Sequence, residues 1–233
     1  MRPGGIVPPS NLSRSRSPDA SVGRPGAVSS FDERALDWDT PERRERAEAM
    51  ADAIRASVTL DPTMRVIDLG AGTGLLGLSL AGDVGEMILA EPSTGMLDVM
   101  REKLSAGGPP NVTAVRLELV VDPPLPDRFD LAVSLLVLHH IVDTEAALSA
   151  VRRLLRPGGR IALADLDAED GSFHDADAEG VHHQGFERSR LIELTRAAGF
   201  TGVEIRTAGE IERDGRRYPL FLLLARTDVN PAS

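Results

Sequence analysis

From Ala47 the apolar positions Ala47, Met50, Ala51, Ile54 and Val58 return every three or four residues, the interval that buries one face of an α-helix. Thr40 followed by Pro41 supplies a capping hydroxyl and a first-turn residue that needs no N–H partner, so the helix is predicted to start at Pro41. Beyond the turn at Asp61-Pro62, short apolar runs alternate with helix-length segments. Arg65 to Leu69, Met87 to Ala90, the run around Val112 to Leu117, Phe129 to Leu135 and Arg160 to Ala164 read as strands. Thr73 to Leu80, Gly95 to Leu104 and a segment running from the capping residue Asp143 toward Leu155 read as helices. Gly107-Gly108-Pro109-Pro110 and Pro157-Gly158-Gly159 interrupt the pattern. Repeated strand and helix units predict a largely parallel sheet covered on both faces. The end of the chain differs: a helix at about Arg188 to Ala198 stops at Gly199, a strand follows near Val203 to Thr207, and Asp214-Gly215 turns the chain into a last apolar strand, Arg217 to Ala225. An α/β fold with seven strands results, its C-terminal pair antiparallel.

Composition sets the limits of this domain. The chain has 233 residues, 42% of them hydrophobic, enough for one substantial core. Residues 1–29 are rich in Pro, Ser, Gly and Arg and are predicted to form a disordered tail; the domain is expected over 30–227, with a short flexible tail at 228–233. A net charge of −10 gives no general attraction to nucleic acid or to anionic membranes, so neither is expected as a partner. There is no cysteine, which excludes disulfides, thiolate metal sites and a cysteine nucleophile in this chain. No apolar run has the length of a membrane span and no secretory signal is visible, so a cytoplasmic location is expected.

The most informative stretch is Val66-Ile67-Asp68-Leu69-Gly70-Ala71-Gly72-Thr73-Gly74, a hydrophobic strand entering a glycine-rich turn that opens a helix. Small residues there let backbone N–H groups approach a nucleotide-like ligand without Cβ clashes. Gly72-Thr73-Gly74-Leu75-Leu76-Gly77 also has the spacing of a dinucleotide fingerprint, but the first glycine after the strand is Gly70, and counted from it the third-glycine position falls on Leu75. Asp68 separates the readings further: a carboxylate repels a pyrophosphate and attracts the ammonium or sulfonium end of S-adenosylmethionine. Glu91, at the expected end of the second strand, could accept hydrogen bonds from ribose hydroxyls.

With these features the chain resembles the class I S-adenosylmethionine-dependent methyltransferases, whose first motif is an acidic residue followed by Gly-x-Gly-x-Gly and whose second strand ends in an acidic residue. The resemblance continues through Phe129-Asp130-Leu131-Ala132-Val133-Ser134, Leu138-His139-His140-Ile141 and Leu154-Leu155-Arg156-Pro157-Gly158-Gly159-Arg160, and covers roughly residues 31 to 227. It is nearest to the broad small-molecule group that includes quinone-biosynthesis enzymes. It implies a Rossmann-like sheet and S-adenosyl-L-methionine as cofactor. It also implies that Asp68, Gly70, Gly72 and Gly74 hold the methionine moiety, that Glu91 holds the ribose, and that Ser93 and Met96 pack the adenosine. Glu118 is the nearest match in register for an acidic residue at the adenine, with Asp122 as the alternative.

On the acceptor side, His139 and His140 follow the fourth strand and Asp165 follows the fifth, where ligands of open α/β sheets gather. His174, His182 and His183 lie in the segment between the fifth strand and the next helix, so all five histidines are expected near one mouth. His139, His140, Asp165, His182 and His183 are the candidate catalytic residues, and a small-molecule methyl acceptor is the expected partner. Each has a structural alternative as a turn, cap or packing residue. The spacing of His174, His182 and His183 matches no zinc signature, and no metal is expected from it. Phe31 and Trp38 could fold across the donor or acceptor, or simply anchor the N-terminal segment. Oligomeric state is not legible. Two other readings stay open at this point: a nicotinamide-dependent oxidoreductase, and a protein that binds the donor without catalysis.

Overall fold

The computed structural model describes residues 1, 30–175, 178, 180–229; the predicted tail of residues 1–29, apart from Met1, and residues 230–233 lie outside them. The sheet has seven strands in the order β3-β2-β1-β4-β5-β7-β6. These are β1 (Arg65–Leu69), β2 (Glu86–Glu91), β3 (Val112–Arg116), β4 (Phe129–Leu135), β5 (Leu155–Leu166), β6 (Thr201–Arg213) and β7 (Arg216–Arg226). The first five pair in parallel, and β7 lies antiparallel between β5 and β6. The helices are α1 (Ser30–Arg34), α2 (Pro41–Ser57), α3 (Leu75–Leu80), α4 (Thr94–Ser105), α5 (Thr144–Leu154) and α6 (Arg188–Ala197).

Alternation of side chains along each strand feeds two cores, one on each face. Val66, Leu131 and Val133 pack with Met50 and Ile54 of α2 and with Leu97 and Met100 of α4. Ile67, Leu69 and Ala132 pack on the other face with Leu148 and Val151 of α5 and Leu191 of α6. Met50 and Ile54 are essentially sealed from water, and full burial of such a side chain contributes about 1.5–3 kcal/mol. The helix starts follow their sequence signals: Thr40 accepts from the Arg43 N–H, Ser93 from Met96 and Asp143 from Ala146.

Three boundaries differ from the sequence expectation. α3 begins at Leu75 rather than Thr73, because Gly74 takes a φ of 90°, outside the right-handed helical region. β5 begins at Leu155, not Arg160: Pro157-Gly158-Gly159 is absorbed as an irregularity in the pairing with β4 instead of separating helix from strand. β6 runs well past its predicted end at Thr207, while β7 matches its prediction to within one residue at each end, and the two close through Asp214 and Gly215, whose φ values of 52° and 72° are those of a tight hairpin turn. Near the end of the described residues the Asp228 carbonyl accepts from the Gly158 N–H.

Candidate active site

In a parallel sheet all strands end on the same edge, so the segments after β1, β2, β4 and β5 converge there by topology alone. After β1, Gly70, Gly72 and Gly74 take φ values of 63°, 58° and 90°, and wind the chain into a tight turn beside the end of β2. A Cβ at Gly70 would lie 2.7 Å from the Val137 methyls, so a residue with a side chain meets a steric barrier as well as an unfavourable φ there.

Glu91 joins the turn to β2. It is 6% exposed; one oxygen accepts from the Gly72 N–H at 2.8 Å and the other from the Ser93 N–H at 2.9 Å. Each carboxylate oxygen keeps a further lone pair for a ligand hydroxyl. Burial raises the Glu91 carboxyl above its ordinary range, against the pull of the two N–H groups. Asp68 is sealed beneath the turn and accepts from the Gly77 N–H of α3 at 2.9 Å. Burial pushes its carboxyl up to about 8; the Gly77 N–H opposes the rise and the charge of Glu91 adds to it. Two buried acids at one turn make a local demand for positive charge, which a cationic ligand would meet.

Sequence reasoning offered Phe31 and Trp38 as residues that could fold across the site, but missed the polar part of the roof over this turn. α1 lies against the start of α4, where Asp32 accepts from the Ser93 hydroxyl at 2.5 Å and from the Gly95 N–H at 2.8 Å. Trp38 brings its indole nitrogen to 3.5 Å from where a Gly72 Cβ would stand. Asp39 pairs with Lys103 at 2.5 Å and takes the Thr73 hydroxyl, while Lys103 also donates to the Thr73 carbonyl. These polar residues carry no periodic signal; of them only Asp32 accepts a free N–H at a helix start, that of Gly95. Met96 is buried under the same roof, next to Ser93. Glu118 is exposed, with its carboxylate beside Arg116 at the surface, and its backbone N–H donates to Asp122.

After β4 and β5 stands a group of imidazoles. His139 is buried, and its Nδ1 lies 2.7 Å from a carboxylate oxygen of Asp165, itself sealed from water. Asp165 also accepts from the N–H groups of His139 and Leu166, which fixes its orientation. The His139 ring is 4.0 Å from that of His140 and 5.1 Å from that of His174. The His140 Nδ1 lies 2.7 Å from the Gly180 carbonyl. Burial and the neighbouring His139 hold His140 down at about 4, and burial lowers His174 as well, so both rings are neutral at pH 7. Phe31 packs edge-on against both Trp38 and His140, linking the roof of the turn to this group.

His182 and His183 are set apart from that group. Both donate their backbone N–H to the His139 carbonyl, but the His182 ring is exposed, and the His183 Nε2 lies 2.9 Å from the Ile141 carbonyl and packs beside Phe186. His174 is brought in by the β6–β7 hairpin: Phe173 packs edge-on against Tyr218, and Arg213 holds the Phe173 carbonyl and Asp175. That clamp joins residues about 40 positions apart, beyond the range of periodicity arguments.

Comparison with known proteins agrees with this architecture. Residues 66–159 match the family model of a methyltransferase domain. The chain is 28% identical over 156 residues to an uncharacterized methyltransferase of Schizosaccharomyces pombe, covering 61% of this chain and 55% of that protein. It is 36% identical over 109 residues to the ubiquinone/menaquinone biosynthesis C-methyltransferase UbiE of Shewanella oneidensis, covering 45% of this chain and 43% of that protein. The chain thus spans about half the length of the curated relatives it matches. Among solved structures, phosphoethanolamine N-methyltransferase 2 of Haemonchus contortus in complex with S-adenosyl-L-methionine superposes with a TM-score of 0.66 at 17% identity, covering 86% of this chain and 60% of that one.

Residues 66–159 thus match a methyltransferase domain, set in a seven-stranded sheet whose fold is that of a solved S-adenosylmethionine-binding methyltransferase. A UbiE C-methyltransferase is among the proteins that the chain is similar to. No helix among the described residues is long and apolar enough to cross a membrane.

Proposed function

We propose that this protein transfers the methyl group of S-adenosylmethionine to an oxygen, nitrogen or carbon nucleophile of a small molecule. The observation that carries the reading is the meeting of two built sites on one sheet edge: the glycine turn with Glu91 after β1 and β2, and the Asp165-held His139 after β4 and β5. The sulfonium end of the donor suits the turn above Asp68, and the ribose hydroxyls suit the spare lone pairs of Glu91. Ser93 and Met96 lie where the adenosine follows.

The donor is already activated, so the protein's part is alignment and exclusion of water. The acceptor atom forms a bond to the methyl carbon while the carbon–sulfur bond breaks and its electron pair stays on sulfur, leaving S-adenosylhomocysteine. His139 is the group that activates the acceptor, with Asp165 as its positioning residue and His140 and His174 as neutral walls. A net charge of −10 favours a small acceptor over nucleic acid, and the small-molecule chemistry in the name of the UbiE relative points the same way.

Incubation with methyl-labelled donor and cell extract split into small-molecule and macromolecular fractions tests the proposal. Label is expected in the small-molecule fraction; label confined to the macromolecular fraction would overturn the acceptor class.

A further inference from the structure

We propose that His139, His140 and His174 form a binding site for a divalent transition-metal ion of the zinc kind, three imidazole nitrogens holding the ion and leaving one position open. The three candidate ligand nitrogens lie within 4.8 Å of one another. Nε2 of His139 and Nε2 of His174 are both buried and lack a hydrogen-bond partner among the described residues. Buried polar atoms in folded proteins almost always have a partner, and a shared ion would satisfy both nitrogens together.

The surroundings are those of a metal site. Metal-bound histidines as a rule give their second nitrogen to a carboxylate or a backbone carbonyl, which holds the proton there and leaves a lone pair on the first. His139 has such a partner in Asp165, and His140 has one in the Gly180 carbonyl. Both contacts turn Nε2 into the free acceptor. Nitrogens bound at about 2.0–2.1 Å around a tetrahedral ion stand about 3.4 Å apart. The widest pair must then close by at most about 1.5 Å, and His174, half-buried on its loop, can swing that far. An all-imidazole donor set suits zinc and its neighbours rather than magnesium or calcium.

Linear spacing shows no such pattern, because the third ligand arrives through the hairpin clamp. Three protein ligands with a fourth position open is the arrangement of ions that bind and acidify an oxygen. Here, resting on the methyl-transfer reading, the open position would take a hydroxyl or enol oxygen of the acceptor; the ion would acidify it and its proton would pass to solvent, with His139 serving as a ligand in place of a direct base.

The test is titration of the full chain, stripped with chelator, with cobalt(II). The site should give the visible absorption of a four- or five-coordinate ion at one ion per chain, displaced by zinc. His174→Ala removes a ligand while sparing the His139–Asp165 pair and should weaken binding about 100-fold or more, with the thermal midpoint measured alongside to show that the fold persists. His182→Ala, which removes an exposed imidazole outside the group, should leave the absorption in place. No such absorption in the unaltered protein, or equal weakening by both substitutions, overturns the site. Calorimetry with S-adenosylhomocysteine on the same samples reads the donor site separately: donor binding without the ion refutes the metal site alone, and ion binding without the donor refutes the methyl-transfer reading alone.

Discussion

At the scale of single residues the account turns on Asp68. Its carboxyl, lifted by burial from an ordinary 3.8 to about 8, binds a proton more tightly in the folded chain than in the unfolded one. Its contribution to stability is therefore whole below about pH 4 and is lost as the pH rises through about 8. Glu91 is raised by burial too and adds to the same trend. Urea denaturation of the ligand-free protein should show stability falling between about pH 4 and pH 8, with a shallower fall in Asp68→Asn. An equal slope in the two proteins would mean that Asp68 carries no such shift. A donor cation bound nearby favours the ionised form, so donor binding should release protons over the same window.

At the scale of elements, the N-terminal segment is the least expected part of the site. α1 and the turn after it roof the glycine turn through Asp32, Trp38 and Asp39; Trp38 was a candidate from its sequence, whereas no repeat of apolar positions could reveal Asp32 and Asp39. Replacing Trp38 with Ala removes the indole beside Gly72 and the edge contact with Phe31. Donor affinity is expected to fall about 3–10-fold, in proportion to the worth of one aromatic contact, while the thermal midpoint stays near that of the unaltered protein; unchanged affinity in calorimetry would show that the roof does not reach the donor. The strands and main helices were legible because burial of one face imposes a period on the chain, and Thr40, Ser93 and Asp143 announce helix starts chemically. The start of β5 was not, since Pro157-Gly158-Gly159 signals a break and sheet pairing overrides it. In the second group, His139 and His140 were legible from their place after β4, and Asp165 from its place near the end of β5. The separation of His174 from His182 and His183 was not, because the hairpin decides it through Arg213 and Tyr218.

At the scale of the whole molecule, one sheet edge gathers both halves of the proposed reaction, and the rest of the fold holds that edge rigid. Parallel strands β1 to β5 bring the donor turn and the imidazole group to the same side, and the antiparallel β6 and β7 carry the clamp that completes the second. Likeness of fold at 17% identity fixes the architecture and leaves the chemistry to the site. The most direct measurement is calorimetry of the full chain with S-adenosylhomocysteine and, separately, with NAD. The account predicts one molecule of S-adenosylhomocysteine bound per chain, no heat from NAD, and a loss of about 10–100-fold in affinity in Glu91→Ala, the worth of hydrogen bonds to a charged group. Binding of NAD in place of S-adenosylhomocysteine, or an affinity indifferent to Glu91, would contradict it.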